Sequence, residues 1–107
     1  MASFELRGSG PQGTLVLSGE CTIAQAGDMK NAFMKALETY EELDLDMSGI
    51  KQADLTLLQL VMATHAELAK KGKSLSATAG TPPIVASLAE EAGLTLGSYE
   101  QCFWKKG

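Results

Sequence analysis

The chain has 107 residues, of which 45% are hydrophobic and 21% are charged, and this composition and length predict a single globular domain spanning residues 1–107. Thirteen acidic and nine basic residues give a formal net charge of −4, and no dense run of Lys and Arg occurs, which argues against a nucleic-acid-binding protein. No stretch is apolar over the ~20 residues of a transmembrane helix, and the N-terminus lacks the charged and apolar segments of a signal peptide. We therefore expect a cytoplasmic protein with free thiols.

The first part of the chain predicts two strands and a helix. Ser3 to Arg7 and Thr14 to Ser18 alternate apolar and polar residues, as half-buried strands do. The glycine-rich segment between them precedes a strand rather than a helix, so a hairpin loop is favoured over a phosphate-binding loop. Thr22 and Gln25 have the spacing of a capping box, which predicts a helix from this point to about Tyr40.

The remaining chain alternates strands with helices. In chain order, the patterns predict a strand over Leu43 to Met47 that Ser48-Gly49 ends, a helix from about Leu55 to Lys71 stopped by Gly72, a strand over Ser74 to Thr78, a helix opening at Thr81-Pro82, and a short final helix in the C-terminal tail. On the helices, the predicted inward-facing residues include Leu57, Val61, Ala69, Ile84 and Val85.

This order predicts an α/β fold with a four-stranded mixed sheet. Strand–helix–strand crossovers are parallel, so three strands are expected to be parallel, with the first strand antiparallel at the edge. Polar residues such as Glu5, Arg7, Asp44 and Asp46 alternate with the apolar ones. Strands that are buried on both faces lack this alternation, so we expect helices mainly on one face of the sheet.

Residues with catalytic potential are few. His65 is the sole histidine and falls near the apolar stripe of the second helix, which favours a partly buried structural role. Cys21 precedes a helix start, a position that favours a lowered thiol pKa, but no base is paired with it. The Asp44 and Asp46 pair has no companion ligands for a metal. We therefore expect no enzymatic activity, no cofactor and no metal site.

One segment has a more specific pattern. The run Asp46-Met47-Ser48-Gly49-Ile50 ends a predicted strand, and Asp54-Leu55-Thr56 then opens a leucine-rich helix. This pattern resembles the signature of STAS domains, the family of bacterial anti-sigma-factor antagonists, and the resemblance extends over nearly the whole chain. It implies a bacterial regulatory protein-protein interaction module that binds a kinase-like anti-sigma factor or another signalling partner, including a chemotaxis-linked one. The alternative is a STAS subunit of an ABC-type lipid transport complex that holds an ATPase.

The resemblance also implies which residues meet the partner. In that family the residue after the helix-opening Asp is typically a Ser or Thr that the partner kinase phosphorylates. Here Leu55 occupies that position and the hydroxyl follows at Thr56, which makes Thr56 the phosphorylation candidate. Asp54 is a good helix N-cap. We expect Asp54, Leu55, Thr56, Gln59 and Leu60 to contact the partner, with Leu55 and Leu60 forming a small apolar patch, unless the aromatic C-terminal tail covers it.

Overall fold

The computed structural model describes residues 2–77 and 80–91. Its elements in chain order are β1 (Ser3–Ser9), β2 (Gln12–Cys21), a short 3-10 helix (Ile23–Gln25), α1 (Ala26–Thr39), β3 (Glu42–Ala53), α2 (Leu55–Lys70), β4 (Ser74–Ser76) and α3 (Pro83–Glu91). The strands form one sheet in the order β1-β2-β3-β4, in which β1 is antiparallel to β2 and the other pairs are parallel. The predicted α/β architecture is confirmed. The predicted final helix lies outside the described residues.

The core lies between one face of the sheet and the helices. Buried strand residues alternate with partly exposed ones, as at Leu15 and Leu17 on β2. The helices contribute Met29, Phe33, Ala36, Leu57, Leu58, Val61, Leu68, Val85 and Ala89 to the same buried cluster. On the other face of the sheet, Glu5 and Arg7 are exposed and form an ion pair. The alternation of the sequence therefore predicts correctly which face of the sheet carries the core.

Two residues that the helical pattern places in the core are at the surface. Ala69 is exposed, and Ile84 is 38% exposed. The buried stripe of α2 includes Thr64 instead, and its hydroxyl donates a hydrogen bond to the carbonyl of Leu60 at 2.8 Å. This bond satisfies the hydroxyl within the helix, which is how a polar side chain is tolerated there.

β3 is longer than the sequence predicts. The prediction that Ser48 and Gly49 end this strand is wrong, because the strand continues through them to Ala53. β2 runs alongside and pairs with the extension, with Ser18 opposite Gly49. Gly49 suits this place because a Cβ atom on it would lie 2.8 Å from the Cβ of Ser18. The glycine therefore permits close pairing here rather than terminating the strand.

The extension of β3 also changes which residues face the core. Between the pairs Val16–Asp46 and Ser18–Gly49, β2 advances by two residues and β3 by three. This extra residue shifts the alternation, so that Ile50 follows Met47 into the core.

At the end of the sheet opposite the β3 extension, the hairpin between β1 and β2 contacts the turn after α1. The carbonyl of Pro11 accepts hydrogen bonds from the backbone N–H groups of Glu41 and Glu42, each at 2.9 Å. The ring of Tyr40 packs directly against Gly13, where a Cβ atom would overlap it. The turn after α1 is therefore held against the hairpin by backbone bonds and by packing on a glycine.

Candidate functional site

The ends of β2 and β3 lie side by side, and each is followed at once by a helix start. Cys21 at the end of β2 pairs with Ala53 at the end of β3. Thr22 then caps the 3-10 helix, and Asp54 caps α2. Because the two strands are parallel, both helix starts lie at the same edge of the sheet.

The first of these helix starts has the predicted capping box. The N–H of Ala24 donates to Thr22 Oγ1 at 3.4 Å, and the N–H of Thr22 donates to Gln25 Oε1 at 3.1 Å. The box opens the short 3-10 helix, and α1 begins only at Ala26. The residue after this cap, Ile23, bonds to Asp54 at the start of α2.

The second helix start is connected to the first through one carboxylate. Asp54 Oδ1 accepts a hydrogen bond from the N–H of Thr56 at 3.0 Å, as expected for an N-cap. Asp54 Oδ2 accepts a second one, at 2.9 Å, from the N–H of Ile23, which lies 31 residues earlier in the chain. We call this pair of bonds the Asp54 bridge. It satisfies a backbone donor at each helix start, so Asp54 has a structural role as well as a place at the site.

Two exposed apolar side chains flank the Asp54 bridge. Ile23, whose N–H forms one half of the bridge, is 71% exposed, and Leu55, the residue after Asp54, is 48% exposed. In the described ranges, these two are among only four large apolar side chains that are exposed, together with Met34 and Ile84. Sequence reasoning missed Ile23. The available signal was its place directly after the cap, ahead of the buried stripe that begins at Met29.

The other predicted contact residues occupy distinct positions on α2. Thr56 is partly buried in the first turn, and Gln59 is exposed one turn after Leu55, on the same side of the helix. Leu60 is partly buried and packs against the core cluster. Leu60 is therefore shared between the core and the surface, and Ile23 is a further exposed apolar residue, bonded to Asp54 from the other helix start.

The thiol of Cys21, at the end of β2, lacks the lowered pKa of a reactive cysteine. Cys21 is completely buried, and this burial raises the pKa of its thiol to about 11. The lowered pKa that a helix start favours is therefore overridden, and the thiol is protonated at neutral pH. His65, which lies further along α2, is partly buried, as its place near the apolar stripe predicts.

An open concavity of about 490 Å³ lies at the other end of the sheet, beside Glu42 and Asp44. Gln12 Nε2 donates to Glu42 Oε1, and Ser76 Oγ donates to Asp44 Oδ1, both at 2.9 Å.

Over residues 2–77 and 80–91, no three His, Cys, Asp or Glu side chains are grouped so as to hold a metal ion. None of the helices in that part of the chain is long and apolar enough to cross a membrane.

A family model accounts for most of the chain. The model of the STAS_2 family, described as "Mlab, STAS domain", matches residues 4–96. The motif around Asp54, the mixed sheet and this match agree, and the chain belongs to the STAS domain family. No curated protein matches the chain.

Solved structures of anti-sigma factor antagonists share the fold. One from Mycobacterium paratuberculosis superimposes with a TM-score of 0.73 at 18% identity, covering 89% of this chain and 80% of that one. The structure of the Bacillus cell fate determinant SpoIIAA in its phosphorylated form has a TM-score of 0.67 at 14% identity, and the match covers 86% of this chain and 85% of that one. The structure of the anti-sigma factor antagonist SpoIIAA in its unphosphorylated form has a TM-score of 0.60 at 14% identity, and the match covers 70% of this chain and 71% of that one.

Proposed function

We propose that this chain is a regulatory, non-enzymatic module that binds a protein partner through the surface around the Asp54 bridge. The observation that carries the proposal is the exposure of Ile23 and Leu55 on either side of a carboxylate whose two oxygens both accept backbone hydrogen bonds. Apolar side chains that folding leaves in water contribute binding energy when a partner covers them. Thr56 and the exposed Gln59 complete the proposed contact surface, with polar groups beside the apolar pair.

The proposed partner is a kinase-like anti-sigma factor or another signalling protein. Membership of the STAS family and the shared fold of the anti-sigma factor antagonists support this choice. Thr56 would be the phosphorylated residue. A phosphate there lies at the positive end of the α2 dipole, which favours it in the free chain, but it adds a charge of about −1.5 to −2 beside Asp54. In a desolvated interface that charge is costly, so phosphorylation would release the partner.

The docking proposal is tested by affinity capture of the tagged chain from its own cells, with mass spectrometry of the captured proteins. Leu55→Asp places a charge in the centre of the proposed contact and should weaken capture of the principal partner by about thirtyfold or more, the effect of a hot-spot residue. The matched control is Met34→Asp, because Met34 is 46% exposed on α1, away from both helix starts. Equal capture by the wild type and Leu55→Asp, or equal losses in the two variants, would contradict the proposal.

The phosphorylation proposal needs its own experiment. Thr56→Glu should weaken the captured complex, whereas Thr56→Val, which removes the hydroxyl without adding charge, should leave it nearly unchanged. Intact-mass analysis of the chain from its own cells should show a fraction carrying one phosphoryl group on Thr56. If the chain never carries phosphate and Thr56→Glu binds as the wild type does, the switch is refuted while the docking surface stands.

A second candidate function is favoured by Leu55 itself. The family motif puts a hydroxyl at this position, and a leucine cannot accept a phosphoryl group, which suits a permanent complex better than a switched one. The matching family model also carries the name Mlab. In this version the chain is a STAS subunit of an ABC-type lipid transport complex, and the same surface holds an ATPase. A stoichiometric, membrane-associated complex containing an ATPase would select it, and a partner captured from the soluble fraction without one would exclude it.

A further inference from the structure

The two helix starts at the site are far apart in sequence and share one acceptor group. Ile23 belongs to the segment after β2, and Thr56 to the segment after β3. Each donates its N–H to a different oxygen of the Asp54 carboxylate, at 2.9 and 3.0 Å. A rigid carboxylate with one bond on each oxygen fixes the distance between the two donors, and hydrogen bonds to a charged acceptor are stronger than neutral ones.

A second bond acts in parallel with this bridge. The N–H of Asp54, the residue after β3, donates to the carbonyl of Cys21, the last residue of β2, at 3.4 Å. It is long, and it fixes only the backbone of Asp54. The positions of Ile23 and Leu55 relative to one another therefore depend mainly on the shorter bonds of the carboxylate.

We infer that Asp54 is a positioning residue whose carboxylate couples the two helix starts, so that Ile23 and Leu55 are presented as one apolar contact and a change at either start is transmitted to the other. This inference rests on the proposed function for its biological role, because the coupled residues are those proposed to meet the partner. The coupling itself is a property of the free chain. It is measured by amide hydrogen exchange in NMR, without any partner, so failure of docking would leave the exchange result standing.

The first test removes the acceptor. In Asp54→Ala the amides of Ile23 and Thr56 should both exchange about tenfold faster or more, as expected when a bond to a charged group is lost. The amide of Leu45, in the centre of β3, reports on the global fold and should keep its protection. Asp54→Asn has a single side-chain acceptor oxygen and should leave only one of the two amides protected. If Ile23 exchanges at the wild-type rate in Asp54→Ala, Asp54 is only the cap of α2 and the inference fails.

The second test removes the donor on the far side of the bridge and reads the effect at Thr56. Ile23→Pro deletes the N–H, and proline is well tolerated at the first position of a helix. The residue before it, Thr22, is already extended with φ −124° and ψ −177°, as a residue before proline requires. Ile23→Ala is the matched control, since it removes the side chain and keeps the N–H. We expect the Thr56 amide to exchange about threefold faster in Ile23→Pro than in Ile23→Ala, because a carboxylate held by one bond opens more often.

This comparison separates coupling from a purely structural role. Both variants lose the isoleucine side chain, so any difference at Thr56 comes from the missing bond to Asp54. Repeating the pair in the Asp54→Ala background should abolish the difference, because the link is then absent in both chains. Equal exchange of Thr56 in Ile23→Pro and Ile23→Ala would overturn the inference, as would a difference that persists without the Asp54 carboxylate.

Discussion

The two ends of the sheet are closed in different ways. At the hairpin end, the ring of Tyr40 packs on Gly13, and the carbonyl of Pro11 accepts two backbone hydrogen bonds. At the opposite end, the Asp54 bridge connects the segments that follow β2 and β3, and the side chains of Ile23 and Leu55 remain exposed. The first closure combines two backbone hydrogen bonds with close packing on a glycine, whereas the second relies on hydrogen bonds and leaves its two apolar side chains exposed.

This difference bears on which substitutions change the stability of the fold and which change the binding of a partner. Where closure depends on packing, added volume must be accommodated by movement of the neighbours, and the cost falls on folding. Where closure depends on backbone N–H groups and one carboxylate, the neighbouring side chains do not contribute to it. Those side chains are therefore available to a partner. We expect substitutions at the hairpin end to lower stability, and substitutions of the exposed pair to change binding with little effect on stability.

The largest effect on stability is expected at Gly13. Gly13→Ala places a methyl group where the Tyr40 ring packs, and we expect the free energy of unfolding to fall by about 3 kcal/mol in urea titrations. Gly27→Ala is the matched control: nothing lies within 4 Å of a Cβ at Gly27, on α1, so alanine should stabilise the helix by about 0.5–1 kcal/mol. A Gly13→Ala chain as stable as the wild type would contradict the packing explanation for this end.

The second prediction compares two leucines of α2. Leu60 packs against the core, whereas Leu55 is 48% exposed. Leu60→Ala should therefore lower the free energy of unfolding by about 1–2 kcal/mol, and Leu55→Ala by less than about 0.5 kcal/mol. Thermal and urea unfolding of the two variants measure this directly. Equal losses would mean that Leu55 is part of the core, and the distinction between the two ends of the sheet would no longer hold.

Sequence patterns predict the fold well because its strongest signals are local. The alternation in the strands, the capping box at Thr22 and the glycine stop at Gly72 each depend on neighbouring residues, and the structure contains all three. The end of β3 was missed because Ser48-Gly49 is a strand breaker by local propensity. The pairing with β2 and the close approach to Ser18 decide its conformation instead. A single sequence gives no direct signal of that pairing.

The candidate site was predictable only in part, for the same reason. Asp54 could be identified as a cap because its partner, Thr56, is two residues away. Its bond to Ile23 spans 31 residues, so no local pattern points to it, and Ile23 was not among the predicted contacts. Leu60 remains a predicted contact, and its partial burial comes from tertiary packing against the core, which helical spacing alone does not show.

The smallest expected effect concerns Asp46, which lies on the open face of β3, away from both closures. Hydrogen bonds from the side chain and the backbone N–H of Ser48 lower the pKa of the Asp46 carboxyl from its ordinary value, and the positive charge of Arg7 lowers it further. A carboxyl with a lowered pKa in the folded chain stabilises the fold at pH values above its unfolded pKa of about 4. This contribution is lost as the pH falls through the folded pKa.

The causes can be ranked by NMR titration of the Asp46 carboxyl. Ser48→Ala removes the side-chain hydrogen bond, which is the largest cause, and should raise the pKa of Asp46 more than Arg7→Gln does. Urea unfolding of the wild type and Ser48→Ala should differ most above pH ~4 and converge at lower pH, since protonation removes the acceptor charge in both chains. A larger shift in Arg7→Gln would show that long-range charge, rather than the local turn, sets the titration of this face. Because Asp46 is distant from the Asp54 bridge along β3, neither variant should alter the exchange of the Ile23 and Thr56 amides.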